Sequence, residues 1–412
     1  MQPRPDHAAP LWRHPGFAWL LGYRIGALLS YQIVAVAVGW HLYQLTGSTF
    51  ALGLVGLAEV LPYFCVAPFA GYLVDILPRR RLGIAASAGL ALTALVLVGL
   101  TAGHLADRAT WPIYAAIAVT GMVRAFLSPV YNALFARVLP RNDYARGAGV
   151  GSVAFQAALV IGPALAGGLI AFGGSLTAYA VAAAFALLAL VSVARLRVEE
   201  PAAAATRPPI FASIAEGARF VWQTPVMLGA MALDMFSVLL GGVIALLPAV
   251  ISDILAAGPE ALGLLRATPA IGSVLVGLWL ARHPLRRHAG MILLAAVAGF
   301  GLSILGFALS DQLWTSALCL FFYGAFDGVS MVLRQTILQL ATPDAMRGRV
   351  SSINGLFISS SNELGAFYAG SMARLLGLVP AMLLGGSAVV GVALVTAWRN
   401  PVLRRLDIAR LH

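Results

Sequence analysis

Residues 78–103 read PRRRLGIAASAGLALTALVLVGLTAG, in which three arginines precede 22 residues without a charged side chain. As a helix, the uncharged run rises about 33 Å, enough to cross the roughly 30 Å hydrocarbon layer of a bilayer. Backbone N–H and C=O groups find no water inside that layer, and a helix satisfies them internally. The stretch therefore predicts a transmembrane helix with a basic flank.

Similar apolar runs recur along the whole chain of 412 residues. Sixty per cent of the residues are hydrophobic and ten per cent are charged, whereas a soluble globular protein needs a larger polar shell. The composition therefore predicts an all-α membrane protein with twelve transmembrane helices. The predicted helices, numbered 1 to 12, are 17–43, 50–76, 82–103, 112–136, 148–173, 175–196, 225–252, 261–281, 289–310, 312–338, 350–376 and 378–399.

The net charge is +11, and all 27 basic residues are arginines. They form short clusters between the apolar runs, which argues against a nucleic-acid partner and follows the charge bias of cytoplasmic loops. With both termini inside, the inner segments hold 21 arginines and the outer segments hold two, Arg108 and Arg374. We therefore expect a multi-pass protein of the bacterial inner membrane with cytoplasmic termini. Its first helix is expected to be retained, because no cleavage site follows it.

The two halves of the chain share short sequences in the same order, which indicates a duplicated six-helix unit. The longest polar segment lies between the halves and contains a stretch with apolar residues at helical spacing, 211–222, expected as an amphipathic helix at the inner surface. The predicted domains are 1–196, a linker at 197–224, and 225–412. The matching pairs are 143–147 with 344–348, 51–54 with 261–264, and 78–81 with 284–287.

Eight ionisable residues fall inside the predicted helices at least four residues from either end, where a charge is costly and usually serves a function. Arg266 and Arg334 lie near helix ends, where a long side chain can extend to the membrane surface. No metal-binding spacing, phosphate-binding loop or nucleophile–base arrangement is visible, so we predict no cofactor, no metal site and no enzymatic activity. The eight residues are Arg24, Glu59, Arg124, Asp234, Arg266, Asp327, Arg334 and Glu363.

The loop after predicted helix 2 resembles a motif of the major facilitator superfamily, G-x-L-a-D-r-x-G-r-k. Ile76 and Pro78 depart from that motif. Residues 162–167 (GPALAG) resemble the G-P-x-x-G-G element of exporters in the same superfamily, with Ala166 in place of one glycine. The matching residues of the loop are Gly71, Leu73, Asp75, Arg79 and Arg80.

The resemblance extends over nearly the whole chain and is closest to the drug:proton antiporter branch that includes enterobactin exporters and macrolide-efflux proteins. The best stretches are 333–336, 342–351 and 362–365. The resemblance implies that helices 1, 2, 4 and 5 face helices 7, 8, 10 and 11 across a central cavity. All eight ionisable residues lie on helices of that set.

A proton antiporter needs a carboxyl group that can change its protonation state beside an arginine. We expect Glu363 and Asp234 to carry protons and Arg124 to modulate them, with Glu59 and Asp327 as further candidates. The competing interpretation is a fixed ion pair between neighbouring helices. Polar and aromatic residues of the facing set are candidates for the substrate cavity. They are Arg24, Tyr31, Gln32, Tyr63, Tyr131, Asn132, Phe155, Phe236, Phe357 and Asn362.

Two elements are predicted to act as gates. The resemblance implies that Asp75 bridges to the start of helix 11, near residues 350–352, in the outward-facing state; a solvated charged loop is the alternative. Gly162 and Pro163 are expected to kink helix 5, and Gly167 and Gly168 to let another helix approach closely; ordinary packing of small residues is the alternative.

These observations predict a monomeric transporter that exports a siderophore or an amphipathic drug-like molecule in exchange for protons by alternating access. Two alternatives stay within transport: a lysophospholipid or lipid flippase, and an uptake symporter. An alternative of another class is a receptor or scaffold that does not transport, although a scaffold would not need eight ionisable residues on cavity-facing helices.

Overall fold

The computed structural model describes residues 11, 14–105, 109–198, 210–283, 288–343, 346–404 and 406–407. Within them the chain forms helices joined by short loops. The helices are α1 Pro15–Thr46, α2 Thr49–Ile76, α3 Arg79–Ala102, α4 Trp111–Val138, α5 Tyr144–Arg195, α6 Ile210–Gln223, α7 Pro225–Leu240, α8 Leu247–Asp253, α9 Pro259–Arg282, α10 Ala289–Ala308, α11 Leu313–Ala341, α12 Arg347–Leu376, α13 Leu378–Arg399 and α14 Pro401–Arg404.

Helix α5 contains two membrane crossings, because its backbone leaves helical geometry at Gly173 and Gly174. Gly174 has φ +71° and ψ −177°, a conformation open to glycine almost alone. Contacts with α1 show the reversal. Phe155 and Gly162 of the first arm lie beside Arg24 and Gln32 in the same direction along the chain. In the second arm the order is opposite, since Ser192 meets Gly22, Ala189 meets Gly26 and Tyr179 meets His41.

Predicted helices 1–4 correspond to α1–α4, and 5 and 6 to the two arms of α5. Predicted helix 7 corresponds to α7 with α8, and 8–12 to α9–α13. The prediction of an unbroken helix over 225–252 was wrong, because the chain leaves the α-helix at Gly241–Gly242 and continues through a 3₁₀ turn, Val243–Leu246.

Ten helical segments of the described chain are long and apolar enough to cross a membrane. The segment that contains α5 counts once among them although it crosses twice. Helix α12, with 30 residues, is long enough but too polar, since it carries Arg349, Asn354, Asn362 and Glu363. Adding the second arm of α5 and α12 gives twelve crossings in this part of the chain, as predicted.

The crossings pack as two six-helix groups. In the first group α1 packs against both arms of α5, and α2 against α4; in the second, α9 packs against α11 and α10 against α13. The groups meet through α2 with α12 and through α5 with α9. A Cβ added at Gly370 would lie 2.7 Å from Gly53 Cα, and one at Gly263 would lie 3.0 Å from Gly167 Cα. Backbones therefore touch at this end of the bundle, which we call the sealed end.

Large apolar side chains are exposed on α3, the second arm of α5, α10 and α13. Exposed leucines and valines belong in lipid, so these helices form the lipid-facing surface of the two groups. They include Leu92, Leu187, Leu302 and Leu394.

Helix α6 matches the amphipathic helix predicted in the linker. Gly217 packs on Ile353 and Arg349 of α12, and Glu216 forms a 2.8 Å salt bridge with Arg349. On the opposite face Trp222 is 75% exposed, as expected for a side chain at a membrane interface. The stretch 199–209 before it lies outside the described residues.

Candidate functional site

Arg124 of α4 lies between a glutamate of each helix group. Its Nη1 donates hydrogen bonds of 2.7 Å to Glu363 Oε1 and to Tyr31 Oη, and it also contacts Glu59 Oε1. Tyr31 in turn donates its hydroxyl proton to Glu59 Oε1 at 2.9 Å. These four residues, the central cluster, join α1, α2 and α4 to α12.

Small residues bring the helices close enough for this cluster to form. A Cβ on Gly56 of α2 would lie 2.5 Å from the carbonyl oxygen of Glu363, so α2 and α12 are in backbone contact there. A Cβ on Gly121 of α4 would overlap the carbonyl oxygen of Glu59. Glu59 therefore lies between α4 and α12, which approach α2 this closely only because glycines stand at the contacts.

The central cluster is shielded from solvent, and aromatic rings flank its cation. Glu59 is 5% exposed, and the side chains of Arg124 and Glu363 are mostly buried. The guanidinium carbon of Arg124 lies 5.3 Å from the ring centroid of Tyr31 and 5.1 Å from that of Tyr63. Tyr63 accepts a 3.2 Å hydrogen bond from Ser359 of α12, which adds a second polar contact between the groups.

A cavity of about 90 Å³ lies between the central cluster and the sealed end, lined by residues of both groups. Tyr31, Glu59 and Glu363 line it on one side, and Arg266 of α9 lines it as well. The expectation that Arg266 extends to the membrane surface was therefore wrong: its side chain faces the two carboxylates inside the bundle. Such a polar space is large enough to hold water.

Asp234 of α7 forms an ion pair with Arg334 of α11, and both side chains are buried. Arg334 therefore does not extend to the membrane surface, because its partner sits on the neighbouring helix. An ion pair between neighbouring helices is the competing interpretation that the sequence offered, and whether Asp234 carries protons stays a prediction. Asp327, half-buried on α11, has no hydrogen bond or ion pair with the other described residues.

The predicted proton-coupling residues thus divide into three places. Glu59, Arg124 and Glu363 meet in the central cluster, Asp234 pairs with Arg334, and Asp327 stands apart. The sequence identified all five by their charge within apolar helices. It could not pair them, because Arg124 and Glu363 are 239 residues apart along the chain.

The predicted substrate-cavity residues also separate. Arg24 lies against the rings of Tyr131 and Phe155, whereas Tyr31 and Tyr63 belong to the central cluster and its flank. Gln32 packs where a side chain on Gly162 would point. The remaining four lie elsewhere on the facing helices: Asn132, Phe236 and Asn362 are exposed, and Phe357 packs against an apolar group around Val350 and Ile353.

The predicted gate residues are placed as follows. Gly71 has open space where a side chain would be, and Arg80 donates a hydrogen bond to the carbonyl of Ala194. Arg79 is half-buried at the start of α3. The side chain of Asp75 lies outside the described residues, so its bridge to 350–352 stays a prediction.

The kink expected at Gly162 and Pro163 stays a prediction. The backbone of α5 keeps helical dihedral angles at both residues and leaves them at Gly173 and Gly174, where predicted helices 5 and 6 meet. Gly167 does admit a neighbour, α9, at the sealed end, whereas Gly168 has nothing within 4 Å.

Two contacts that the sequence did not reveal close the sealed end. Tyr43 of α1 donates a 2.5 Å hydrogen bond to Asp253 Oδ2 of α8, across the two groups. The rings of Phe50 and Phe367 lie 6.1 Å apart, and Arg374 stacks over Phe50 at 5.0 Å. Nothing local marks these residues, since the partners come from opposite halves of the chain.

At the opposite end, α11 and α12 line a cavity of about 660 Å³. Its wall mixes apolar residues with polar ones, which include Gln335 and Gln339 on α11 and Ser351 and Asn354 on α12. Polar side chains in a membrane helix belong beside water or a ligand rather than lipid. The molecule is therefore sealed at one end and carries a large cavity of mixed polarity at the other.

Comparisons with known proteins agree with this architecture. A family model described as transmembrane secretion effector matches residues 7–410. The multidrug efflux pump Tap of Mycolicibacterium fortuitum is 28% identical over 405 residues, covering 92% of this chain and 93% of the relative. The enterobactin exporter EntS of Citrobacter koseri is 25% identical over 399 residues, covering 95% and 93%.

Among solved structures, a D-xylose-proton symporter matches with a TM-score of 0.73 at 13% identity, covering 96% of this chain and 99% of that one. A bacterial homologue of the lysosomal transporter Spinster, in an inward-facing and unoccupied conformation, matches with a TM-score of 0.70 at 15% identity, covering 98% of each chain. At such identities the likeness concerns the fold alone.

Proposed function

The chain belongs to the transmembrane secretion effector family of the major facilitator superfamily, and we propose that it exports a siderophore or an amphipathic drug-like molecule in exchange for protons. Membership makes it a membrane transporter of the efflux type rather than an enzyme. The proton coupling, the substrate and the domain boundaries are our proposal. The observation that carries the coupling is the central cluster, in which Arg124 bonds glutamates of both helix groups.

In the empty carrier, the central cluster holds the two helix groups together. Ionised Glu363 accepts a charge-assisted hydrogen bond from Arg124, and such bonds are about twice as strong as neutral ones. A proton on Glu363 removes its charge and weakens the only ion pair that joins the two groups among the described residues. The groups can then separate at Gly53 and Gly370, a rocking motion about a central site.

Arg266 gives Glu363 a second partner after that separation. Both belong to the second group of helices, so they move together when the first group rocks away. Glu59 keeps Arg124 and Tyr31, which belong to its own group. Each glutamate thus retains a cation in either conformation, which lowers the cost of carrying charge through the cycle.

The direction of transport follows from sidedness. The sealed end, where Arg374 lies over Phe50, is the side on which few arginines are predicted, and this scarcity of arginine favours the outer side of the membrane. The 660 Å³ cavity then opens toward the cytoplasm, where an exporter loads its substrate. The transporter exchanges a proton for a substrate if the two helix groups can rock when either ligand is bound and cannot rock when the carrier is empty.

Efflux from everted vesicles under an imposed pH gradient tests this proposal, with a catecholate siderophore and a fluorescent cationic dye as parallel substrates. We expect Glu363→Gln to abolish the dependence on the gradient while downhill movement continues, because glutamine imitates the protonated acid. Asp311→Asn, an exposed carboxylate between α10 and α11, is the matched control and should behave as wild type. Wild-type vesicles that move neither substrate, or a Glu363→Gln variant that still follows the gradient, would overturn it; inward accumulation would favour a symporter.

A further inference from the structure

Arg24 of α1 is half-buried and has aromatic rings around its guanidinium. Its guanidinium carbon lies 3.9 Å from the ring centroid of Tyr131 on α4 and 5.4 Å from that of Phe155 on α5. The cation therefore sits beside two aromatic rings contributed by two neighbouring helices. Arg24 is seven residues before Tyr31 on α1, so it lies about 10 Å from the central cluster, away from the sealed end.

No carboxylate among the described residues pairs with Arg24. Arg124 meets Glu59 and Glu363, and Arg334 meets Asp234. The Nε of Arg24 is buried and has no hydrogen-bond acceptor in the described part of the chain. Aromatic faces stabilise a cation by less than an uncompensated charge costs inside a membrane protein.

The space beside Arg24 is small and chemically mixed. A cavity of about 20 Å³ is lined by Arg24, Ser128, Tyr131 and Phe155 together with apolar side chains. That volume admits about one water-sized group. An oxygen of a ligand fits beside the guanidinium, and the body of the ligand must lie outside, against the aromatic rings. Ser128 and Asn132, one turn apart on α4, are exposed and offer further hydrogen bonds.

We propose that Arg24, Tyr131 and Phe155 form the subsite that binds the anionic oxygen of an aromatic or amphipathic organic anion, the substrate class of this transporter. A guanidinium suits carboxylate and phenolate oxygens because its N–H groups form a rigid, permanently charged fork. The rings favour a flat ligand that stacks beside the cation. This inference rests on the proposed export function and narrows its substrates to anions.

Binding to the purified protein in phosphatidylcholine nanodiscs tests the subsite without any gradient. The probes are radiolabelled 1-naphthoate and its neutral analogue 1-naphthamide, measured by equilibrium dialysis. We expect wild type to prefer the carboxylate, and Arg24→Gln to weaken naphthoate binding by more than about tenfold while leaving the amide unchanged. Arg24→Lys should retain part of the preference, because the charge survives without the fork.

Two variants control for structure. Arg195→Gln removes another arginine that stacks on an aromatic ring, Trp19 at 5.4 Å, and should bind as wild type. Phe155→Ala keeps the charge and removes one ring, so we expect a loss of a few-fold. If Arg24→Gln does not fold, as judged by gel filtration, the Phe155 variant and the preference for naphthoate over naphthamide still decide.

Equal affinity for the acid and the amide, or unchanged naphthoate binding in Arg24→Gln, would overturn the proposal. So would loss of naphthoate binding in nanodiscs that contain phosphatidylglycerol in equal parts, because the site would then hold a lipid headgroup. The result is separable from the export proposal. A protein that binds naphthoate through Arg24 but moves nothing in vesicles refutes export alone.

Discussion

Arg124 contacts both glutamates of the central cluster, but the two glutamates differ in their other hydrogen bonds. Glu59 has additional support from the hydroxyl of Tyr31, at 2.9 Å, whereas Glu363 depends on Arg124 and on Arg266 across the cavity. Glu363 is therefore the acid that a proton neutralises with the smaller loss of hydrogen bonds. It is also the acid that links the two helix groups.

The exchange of partners by Glu363 predicts the effect of removing Arg266. We expect Arg266→Gln to slow downhill efflux, because Glu363 then has no cation once it leaves Arg124. Glu363→Gln in the same protein should restore downhill flux without restoring the response to a pH gradient. Vesicle assays with Arg282→Gln, an exposed arginine at the end of α9, provide the control. A double variant no faster than Arg266→Gln alone would show that the two side chains act independently.

Asp234 and Arg334 form a pair whose role we expect to be structural. Asp234→Asn leaves a buried guanidinium without its counter-charge, which typically costs about 3–5 kcal/mol of stability. Thermal unfolding in detergent should show that loss, and Asp234→Asn with Arg334→Gln should recover most of it. If Asp234→Asn is as stable as wild type but no longer follows the pH gradient, Asp234 is a proton carrier after all.

At the scale of helices, the sequence predicted what depends on local composition. Twelve apolar runs marked twelve crossings, because the length of an apolar helix is set by the thickness of the bilayer. The sequence did not predict the break at Gly241–Gly242, because the residues on both sides of it are apolar and glycines are tolerated in membrane helices. The reversal within α5 was predicted, because the boundary between predicted helices 5 and 6 falls at Gly174, which has a positive φ.

The turn at Gly174 predicts a local cost for any other residue. Gly174→Ala should lower stability by about 1–3 kcal/mol, because a side chain is strained at φ +71° and ψ −177°. Gly168→Ala on the same helix is the matched control, since nothing lies within 4 Å and alanine favours a helix. Thermal unfolding of both variants decides. Equal melting temperatures would mean that the reversal does not need a glycine.

The candidate site could be predicted only in part, because local composition does not show which residues meet in the fold. Charge inside apolar runs identified Glu59, Arg124 and Glu363 from composition alone. The sequence could not predict that these three residues meet, because they are far apart in the chain. For the same reason it could not predict that Arg266 faces the cavity. Tyr43 and Asp253 carried no signal at all, because a tyrosine and an aspartate near helix ends are ordinary in membrane proteins.

At the scale of the whole molecule, the two helix groups are in close contact at one end and leave a large cavity at the other. The sealed end brings glycine backbones into contact and adds the bond from Tyr43 to Asp253. The other end holds the large cavity between α11 and α12, and the central cluster lies between the two ends. In the proposed mechanism, a proton at Glu363 acts on the interface that must open, which would couple transport to a gradient.

Distances across the sealed end test this central claim most directly. Spin labels at Gln44 of α1 and Glu260 of α9, both exposed, report the separation of the groups by pulsed electron resonance in nanodiscs. At alkaline pH we expect wild type to show one short distance, and at acidic pH a second, longer one. Glu363→Gln should show both distances at every pH. A single short distance in all samples, or a wild-type change with pH that Glu363→Gln leaves intact, would contradict the account.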